Sequence, residues 1–492
     1  MREWQQSRMI LLGTLLILCM GAQFGFVGCG QTATPITSPA TNQVYSYFSG
    51  PFNVPGSDLA KSASTFDHAA KQIGVSSFIT NNNAQVPTAI INGTFGTAGT
   101  GFLQITENFA TTSSGVIGAQ NPPLTGAWAV EIPGAGALAN FLSVNSSSAS
   151  GASVRAAPAA MAENTACPNF SNPVPFLYVT VPDATPTLTA HAADYGAVNI
   201  STQGSAVIFN AQPFLIGPLS QAPSTVTGGC SNTNLGALTA YPLNSFGNPS
   251  NLELIGIGAS GLLVSSFNTG GSGASAGAFG GGTGVVGMAL PSSPVDVAAV
   301  VSAKYNGFLY APRNTVSESY DITVLASAFG DNTAASQACS ALQSSLAANN
   351  GKGAGTVPVL PSANSLYGGE FLTTTNTATA NDPTGAGVSE NCDVVIDLGI
   401  QDPLVNGSFP NATVFIGSNY PPFSTSHPWN CSDTGTICAV AFPVAAVVGK
   451  VQGQYVILLV ASGTSVPAAR LPDNFGNRAA QPLGIYLFQK TQ

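Results

Sequence analysis

The chain has 492 residues, only 7% of them charged, with 55 glycines, 34 prolines and a formal net charge of −9. This length allows two or three domains, and the 44% apolar content argues against global disorder. The 12 basic residues are scattered rather than clustered, which excludes a nucleic-acid-binding surface. A charge-poor, glycine-rich composition is typical of exported β proteins with many turns.

The first 28 residues predict an export signal. Arg2 and Arg8 precede an apolar run over residues 9–18, which is too short for a membrane-spanning helix. We expect this signal peptide to direct the chain out of the cytoplasm. Two alternatives stay open at this point: cleavage without lipidation, giving a secreted protein, or retention of residues 9–28 as an uncleaved anchor, against which Gln23 and four glycines count.

The tetrapeptide Phe26-Val27-Gly28-Cys29 resembles a bacterial lipobox, in which an aliphatic residue and two small residues precede an invariant cysteine. Phe26 and Val27 are both bulkier than the residues usual at those positions. The resemblance implies cleavage before Cys29 and a diacylglyceryl group on its sulfur. More than one acyl chain would give stable anchoring in the membrane of the bacterial cell envelope.

Composition divides the mature chain into segments. Residues 29–43 read as a flexible tether, 44–144 as an N-terminal β unit, and 145–165 as a Ser/Ala-rich linker. Residues 166–314 follow as a central β unit, 315–365 as a connecting segment with a short helix, and 366–492 as a C-terminal β unit. We expect an all-β, antiparallel fold with minor helix, either propeller-like or made of packed β-sandwich or barrel units.

Hairpin signals recur along these units. A short β-rich run, a polar-Gly turn and an apolar run occur around residues 89–105 and around four dipeptides, Gln203-Gly204, Ser260-Gly261, Asn306-Gly307 and Gln452-Gly453. Asn306-Gly307 is the strongest of these turn signals, because both residues tolerate positive φ. Several of the flanking strands are apolar on both faces, which predicts that both faces are buried.

Two helices are predicted among the strands. Residues 333–348 place Cys339, Leu342 and Leu346 on one face, and Asn349-Asn350-Gly351 would end this helix. Residues 64–73 are predicted to form a second, shorter helix.

Six cysteines follow Cys29, and an oxidising compartment predicts that they form disulfides. Sequential pairing is the simplest of fifteen arrangements, but the sequence does not choose between them. The close C-x-x-C spacing of a zinc site is absent from this set: Cys167, Cys230, Cys339, Cys392, Cys431 and Cys438.

Five stretches of the chain resemble a family of bacterial exported lipoproteins whose activity is uncharacterised. These stretches are residues 93–105, 126–134, 257–264, 303–310 and 391–399. The resemblance implies an exported β protein and assigns no catalytic residues.

Catalytic motifs are weak. G-x-S-x-G at residues 273–277 lies in a Gly/Ser run, and G-x-G-x-x-G at 282–287 is not followed by a helical pattern, so both are decoys. His68, His191 and His427 belong to no metal-binding cluster, and no serine is selected as a partner. Asp393 and Asp397 lie too far apart on one strand for a glycosidase pair, so a solvent-facing row or turn capping is the better explanation.

The segment 420–431 is the most interesting surface. Its residues Tyr420, Phe423, His427 and Trp429 could stack on sugars or contact a partner, or they could fold back as a small core beneath a long loop. A calcium site near Asp402 and Asn406 is a further option, although the EF-hand spacing is absent.

The sequence therefore predicts a lipid-anchored envelope protein with a non-catalytic binding or structural role and no cofactor. Its expected partners are the membrane, through the N-terminal lipid, and a glycan or an envelope protein. The alternative is an envelope hydrolase acting on polysaccharide.

Overall fold

The structure is a computed structural model, and the residues it describes are 42–49, 60–81, 84–97, 102–112, 115–145, 153–163, 170, 172–180, 195–203, 206–214, 224–229, 231–232, 239–244, 252–258, 260–267, 285–315, 318–329, 362–373, 394–417, 439–461 and 483–490. These residues form antiparallel strands and one short helix, which confirms the predicted all-β fold. Of the architectures left open by the sequence, the described residues adopt barrels joined by an open sheet.

The N-terminal unit is a closed barrel in which each strand pairs with the next along the chain. The barrel closes where the first strand pairs with the eighth, placing Tyr45 opposite Glu163. Its strands are β1 (Asn42–Ser49), β2 (Ala60–Asp67), β3 (Gln72–Asn81), β4 (Ala84–Thr97), β5 (Leu103–Thr112), β6 (Gly115–Ile132), β7 (Gly136–Asn145) and β8 (Ser153–Glu163).

The central unit is an open antiparallel sheet of nine strands, in the order β12-β11-β10-β9-β17-β16-β15-β14-β13. Its strands are β9 (Val174–Thr180), β10 (Tyr195–Gln203), β11 (Ala206–Phe214), β12 (Ser224–Gly229), β13 (Ser231–Asn232), β14 (Thr239–Asn244), β15 (Leu252–Ile257), β16 (Leu262–Phe267) and β17 (Val285–Ala289).

The C-terminal unit is a second closed barrel, preceded by a one-turn helix. The helix α1 (Val297–Ser302) is capped by the Asp296 carboxylate, which accepts from Ala299 N at 3.1 Å. The strands are β18 (Tyr305–Thr315), β19 (Glu318–Phe329), β20 (Ser365–Thr373), β21 (Val394–Asp397), β22 (Ser408–Gly417), β23 (Ala439–Val451), β24 (Gln454–Ala461) and β25 (Leu483–Gln489).

Side chains fill the described interior of each barrel. In the C-terminal barrel the cluster includes Leu366, Phe409, Ile457 and Leu487, and Val300 of α1 packs against it from one end. The N-terminal interior is built from Tyr45, Phe66, Ile73, Phe95, Leu103, Ile105, Ala127, Ala129, Ala137, Ala139 and Met161. Such filling is usual for eight-stranded barrels.

The outer walls of both barrels and one face of the central sheet share a third core. Along β23, Val447 faces this shared core while Val448 faces the barrel interior. The alternation explains why these strands are apolar on both faces, as the sequence predicted. Contributors include Trp128, Val130 and Leu138 from the first barrel, Leu177, Leu262 and Met288 from the sheet, and Phe308, Leu458 and Tyr486 from the second barrel.

Two turn predictions are confirmed. Ser260-Gly261 lies between β15 and β16, and Gly261 has a φ of 88°. Gln452-Gly453 joins β23 to β24 with φ values of 48° and 77°, the left-handed pair that a type I′ turn requires.

The Asn306-Gly307 turn prediction is wrong. Both residues lie within β18, where Gly307 pairs with Ser327 on one side and Leu487 on the other. A Cβ on Gly307 would meet the backbone oxygen of Tyr486, so the glycine permits close strand approach rather than a turn. The run before it, expected as a strand, is helix α1.

The helix predicted over residues 64–73 is also wrong. This segment is the end of β2, a turn and the start of β3. Phe66 and Ile73 are paired across the two strands, and both enter the barrel core. Tertiary burial of alternate residues has overridden the helical pattern.

Strand bounds differ from the expected segments. β8 occupies much of the stretch 145–165, which composition suggested was a linker. The C-terminal barrel begins with β18, inside the stretch assigned to the central unit, and β19 comes from the expected connecting segment. Closing the barrels requires these strands, and a Ser/Ala-rich composition does not prevent strand formation.

Several predictions lie outside the described residues. These are the signal peptide, the Cys29 lipid site, the six later cysteines, Asp393 and the helix at 333–348. In the part of the chain that is described, no helix is long and apolar enough to cross a bilayer.

Candidate functional site

Three polar side chains meet at one end of the N-terminal barrel. The Tyr45 hydroxyl on β1 donates to Glu131 Oε1 at 2.9 Å. His68, in the turn between β2 and β3, places Nε2 3.0 Å from Glu131 Oε2. One oxygen of the Glu131 carboxylate is therefore bound from strand β1 and the other from the β2–β3 turn.

The turn that carries His68 is fixed by its own backbone. Asp67 Oδ1 accepts from Ala69 N at 3.0 Å and from Ala70 N at 2.9 Å, an aspartate-capped turn. Lys71 has a φ of 54°, and its carbonyl accepts from Phe95 N at 3.0 Å. These bonds hold the turn against β4.

Aromatic rings pack against the two partners of the carboxylate, Tyr45 and His68. Phe66 packs edge-on to Tyr45 at 5.8 Å, and Phe95 lies 5.8 Å from Phe66 and 5.2 Å from the His68 ring. The side chain of Glu131 is 5% exposed and that of His68 is 20% exposed. The ion pair thus lies in an apolar setting, with solvent access through the histidine.

Burial and the carboxylate set the protonation of this group. The hydrogen bond to Glu131 raises the pKa of His68, and partial burial opposes the shift. Burial raises the pKa of Tyr45, and the Glu131 charge adds to that effect. Tyr45 consequently remains a neutral hydrogen-bond donor.

This arrangement is suited to holding strands together and to titrating with pH. Tyr45 is a poor nucleophile because its hydroxyl stays protonated. Each Glu131 oxygen already has a hydrogen-bonding or ion-pair partner. His68 can exchange a proton with solvent, which makes it the responsive member of the cluster.

A second polar cluster surrounds Asp397 at the α1 end of the C-terminal barrel. Asp397 accepts from Ser362 N and Ser362 Oγ, each at 2.7 Å, and from Gly399 N at 2.9 Å. The side chain of Asn364 donates to Gly399 O at 2.7 Å. Of the two explanations considered for Asp397, turn capping is correct, and a solvent-facing row is wrong because the residue is buried.

The proposed calcium ligands also bind backbone. Asp402 Oδ1 accepts from Leu404 N at 2.8 Å, and Asn406 Nδ2 donates to Pro291 O at 3.2 Å. Gln401 Oε1 accepts from Val295 N at 2.9 Å and from Gly407 N at 3.2 Å. Among the described residues, no group of three or more His, Cys, Asp or Glu side chains is placed to hold a metal ion.

The aromatic ligand-binding candidates Tyr420, Phe423, His427 and Trp429 lie outside the described residues. Their segment leaves β22 at Gly417 and returns at Ala439, and these two residues are paired. β22 runs away from the end that α1 covers, so Gly417 and Ala439 lie at the opposite end of the barrel. Their role in binding stays a prediction.

Sequence reasoning did not find the cluster of Tyr45, His68 and Glu131. Tyr45 and Glu131 are 86 positions apart, and only barrel closure brings them together. The one local signal is the Asp67-His68 pair at a polar turn between two β-rich runs.

No known protein-family model matches this sequence, and no curated protein matches it. A solved structure that matches is the crystal structure of isotype 1 transferrin binding protein B from serogroup B Neisseria meningitidis. The match has 11% identity, covers 92% of this chain and 76% of that chain, and has a TM-score of 0.21. So low a TM-score leaves function to be argued from this chain's own residues.

Proposed function

We propose that this chain is an exported, lipid-anchored protein of the bacterial cell envelope with a non-catalytic binding role. Export and anchoring are inferred from the signal-like N-terminus and the lipobox-like residues 26–29. The binding role is inferred from one observation of the structure: two barrels and a sheet share a continuous core. A scaffold of this kind can hold surface loops in fixed relative positions.

The filled barrels favour surface binding over binding within the barrels. Described interior positions in both barrels are occupied by packed apolar and aromatic side chains. A ligand would therefore contact loops at the barrel ends. The segment 420–431 is the proposed contact, with the Trp429 and Phe423 rings stacking on a glycan or packing against an envelope protein.

The lipid anchor is tested by labelling cells with an alkyne fatty acid and separating membrane from soluble fractions. We expect the wild-type chain to be labelled and to sediment with membranes. The Cys29→Ala variant should lose the label and leave the membrane fraction, while Cys19→Ala serves as the matched control. An unlabelled wild-type chain would contradict the anchoring proposal.

Binding is tested by affinity electrophoresis of the full chain in gels containing purified cell-envelope polysaccharide. We expect retardation of the wild type, its loss in Trp429→Ala and its retention in Trp429→Phe, which preserves a stacking ring. Equal retardation of all three proteins would exclude Trp429 as a polysaccharide-binding residue. Release of new reducing ends from the polysaccharide would instead support the hydrolase alternative.

A further inference from the structure

The three units of the fold meet at the turn between β6 and β7. Gln452, in the β23–β24 turn of the C-terminal barrel, donates from Nε2 to Gly134 O at 2.7 Å, across 318 positions of sequence. Ser260, in the β15–β16 turn of the central sheet, places Oγ 3.4 Å from Ala135 O. The turn at residues 133–135, here called the junction turn, thus contacts both other units.

Strand β8 strengthens the same junction. Glu163 N donates to Ala135 O at 2.8 Å, and Glu163 Oε1 accepts from Ser260 N at 3.1 Å. Behind the junction turn, a Cβ on Gly136 would collide with Leu262 of the central sheet. The packing there leaves little room for the turn to move while the units stay together.

The buried cluster reaches this turn through Tyr45. Its hydroxyl binds Glu131, one residue before the end of β6, and a backbone hydrogen bond with Gly134 acts on the same tyrosine. A continuous polar path therefore runs from His68 through Glu131 and Tyr45 to Gly134, and on to Gln452 of the other barrel.

We propose that His68, Glu131 and Tyr45 form a proton-sensitive latch on the junction turn, tightening the contact between the barrels when His68 is protonated. Protonated His68 neutralises the buried Glu131 carboxylate and keeps it aligned to accept from Tyr45. Neutral His68 leaves that carboxylate buried without a positive partner, which favours its movement toward water and loosens Tyr45. This inference does not depend on the proposed binding function.

The other charges around the latch are mostly acidic. Asp67 lies beside His68 and favours its protonated form, and Glu163 faces Tyr45 from β8. Glu107 of β5 is buried within the barrel. The basic side chains on adjoining elements, Lys71 in the His68 turn and Lys450 near Gln452, are exposed. The setting therefore favours the protonated histidine.

The sign of the pH effect follows from the raised pKa of His68 in the folded chain. A group whose folded pKa exceeds its unfolded value of about 6.5 stabilises the fold fully below that value. The stabilisation is lost as pH rises through the folded pKa. The latch should therefore be tight in mildly acidic solution and loose in alkaline solution.

The test is hydrogen exchange with mass spectrometry on the full chain at about pH 5.5 and about pH 8.5, corrected for intrinsic exchange rates. In wild type we expect protection of the Ala135 and Gly261 amides to fall about threefold or more at the higher pH. His68→Gln and Tyr45→Phe should both abolish this response, and His68→Lys should keep protection high at both pH values.

The Tyr45→Phe variant separates the latch from a merely local ion pair, because it preserves the contact between His68 and Glu131. His191→Gln is the matched control variant. The Val300 amide of α1 serves as the internal control for exchange within each sample. Protection that does not depend on pH in wild type would overturn the proposal. So would a full pH response in either Tyr45→Phe or His68→Gln.

Discussion

At the scale of single residues, Asp397 shows how one buried carboxylate organises an irregular region. It accepts three hydrogen bonds, two from Ser362 and one from Gly399. Leu398 N also donates to Asn364 O at 3.1 Å, so the residues before β20 and after β21 are tied together. The carboxylate acts as a structural cap.

We expect Asp397→Ala to lower the free energy of unfolding by about 3 kcal/mol, because bonds to a charged acceptor are lost and their donors are left partly buried. Urea denaturation followed by circular dichroism measures the change. Asp397→Asn is the matched control and should cost less, because its amide keeps one oxygen as an acceptor. An unchanged free energy of unfolding in the alanine variant would contradict the capping role of Asp397.

The sequence predicted only part of the polar sites at the residue scale. The turn-capping role of Asp397 was one of two explanations available from the sequence, because Asp393 and Asp397 lie too far apart on one strand to act as a catalytic pair. The partnership of His68 with Glu131 was not available, because the two residues lie on different hairpins and meet only after the barrel closes.

At the scale of elements, local turn chemistry and strand packing compete for the same glycines. Gly261 and Gly453 have positive φ and lie in turns, as predicted from their sequence context. Gly307 lies in β18, where a Cβ would stand 2.8 Å from the Cα of Leu487. An Asn-Gly pair can form a turn or can permit close approach of a neighbouring strand. Which of the two occurs depends on whether a strand packs beside the glycine.

Gly307→Ala should therefore destabilise the C-terminal barrel by about 3 kcal/mol or more, because the added methyl group meets backbone that cannot rotate away. Gly96→Ala is the matched control. A Cβ at that exposed strand position meets nothing within 4 Å, and we expect a change within about 0.5 kcal/mol. Thermal unfolding of both variants checks the contrast. Similar stability of the two variants would contradict the proposed close approach.

Strand type was predictable because β-branched and aromatic runs alternate with turns over most of the chain. Sheet membership was not, because composition does not reveal that β8 must pair with β1 to close a barrel. The short helix α1 was read as a strand from its valines. Its position over the end of the C-terminal barrel, with Val300 buried and Asp296 as cap, makes one helical turn the better fit.

At the scale of the whole molecule, the central claim is that the two barrels and the sheet behave as one body. Leu262 of the central sheet belongs to the same buried cluster as Trp128 of the first barrel and Leu458 of the second. Hydrogen bonds from Gln452 and Ser260 reinforce that packing at the junction turn. Unfolding one unit would expose apolar surface on the other two.

The most direct test of this claim is a urea denaturation series on the full chain with pulsed hydrogen exchange. Exchange is measured in peptides of β4 and of β24 from the same samples. The account predicts one shared urea midpoint for both barrels. It also predicts that Leu262→Ala lowers the free energy of unfolding of both barrels equally, by about 3 kcal/mol. Separate midpoints for the two barrels, or a Leu262→Ala shift confined to the central sheet, would contradict it.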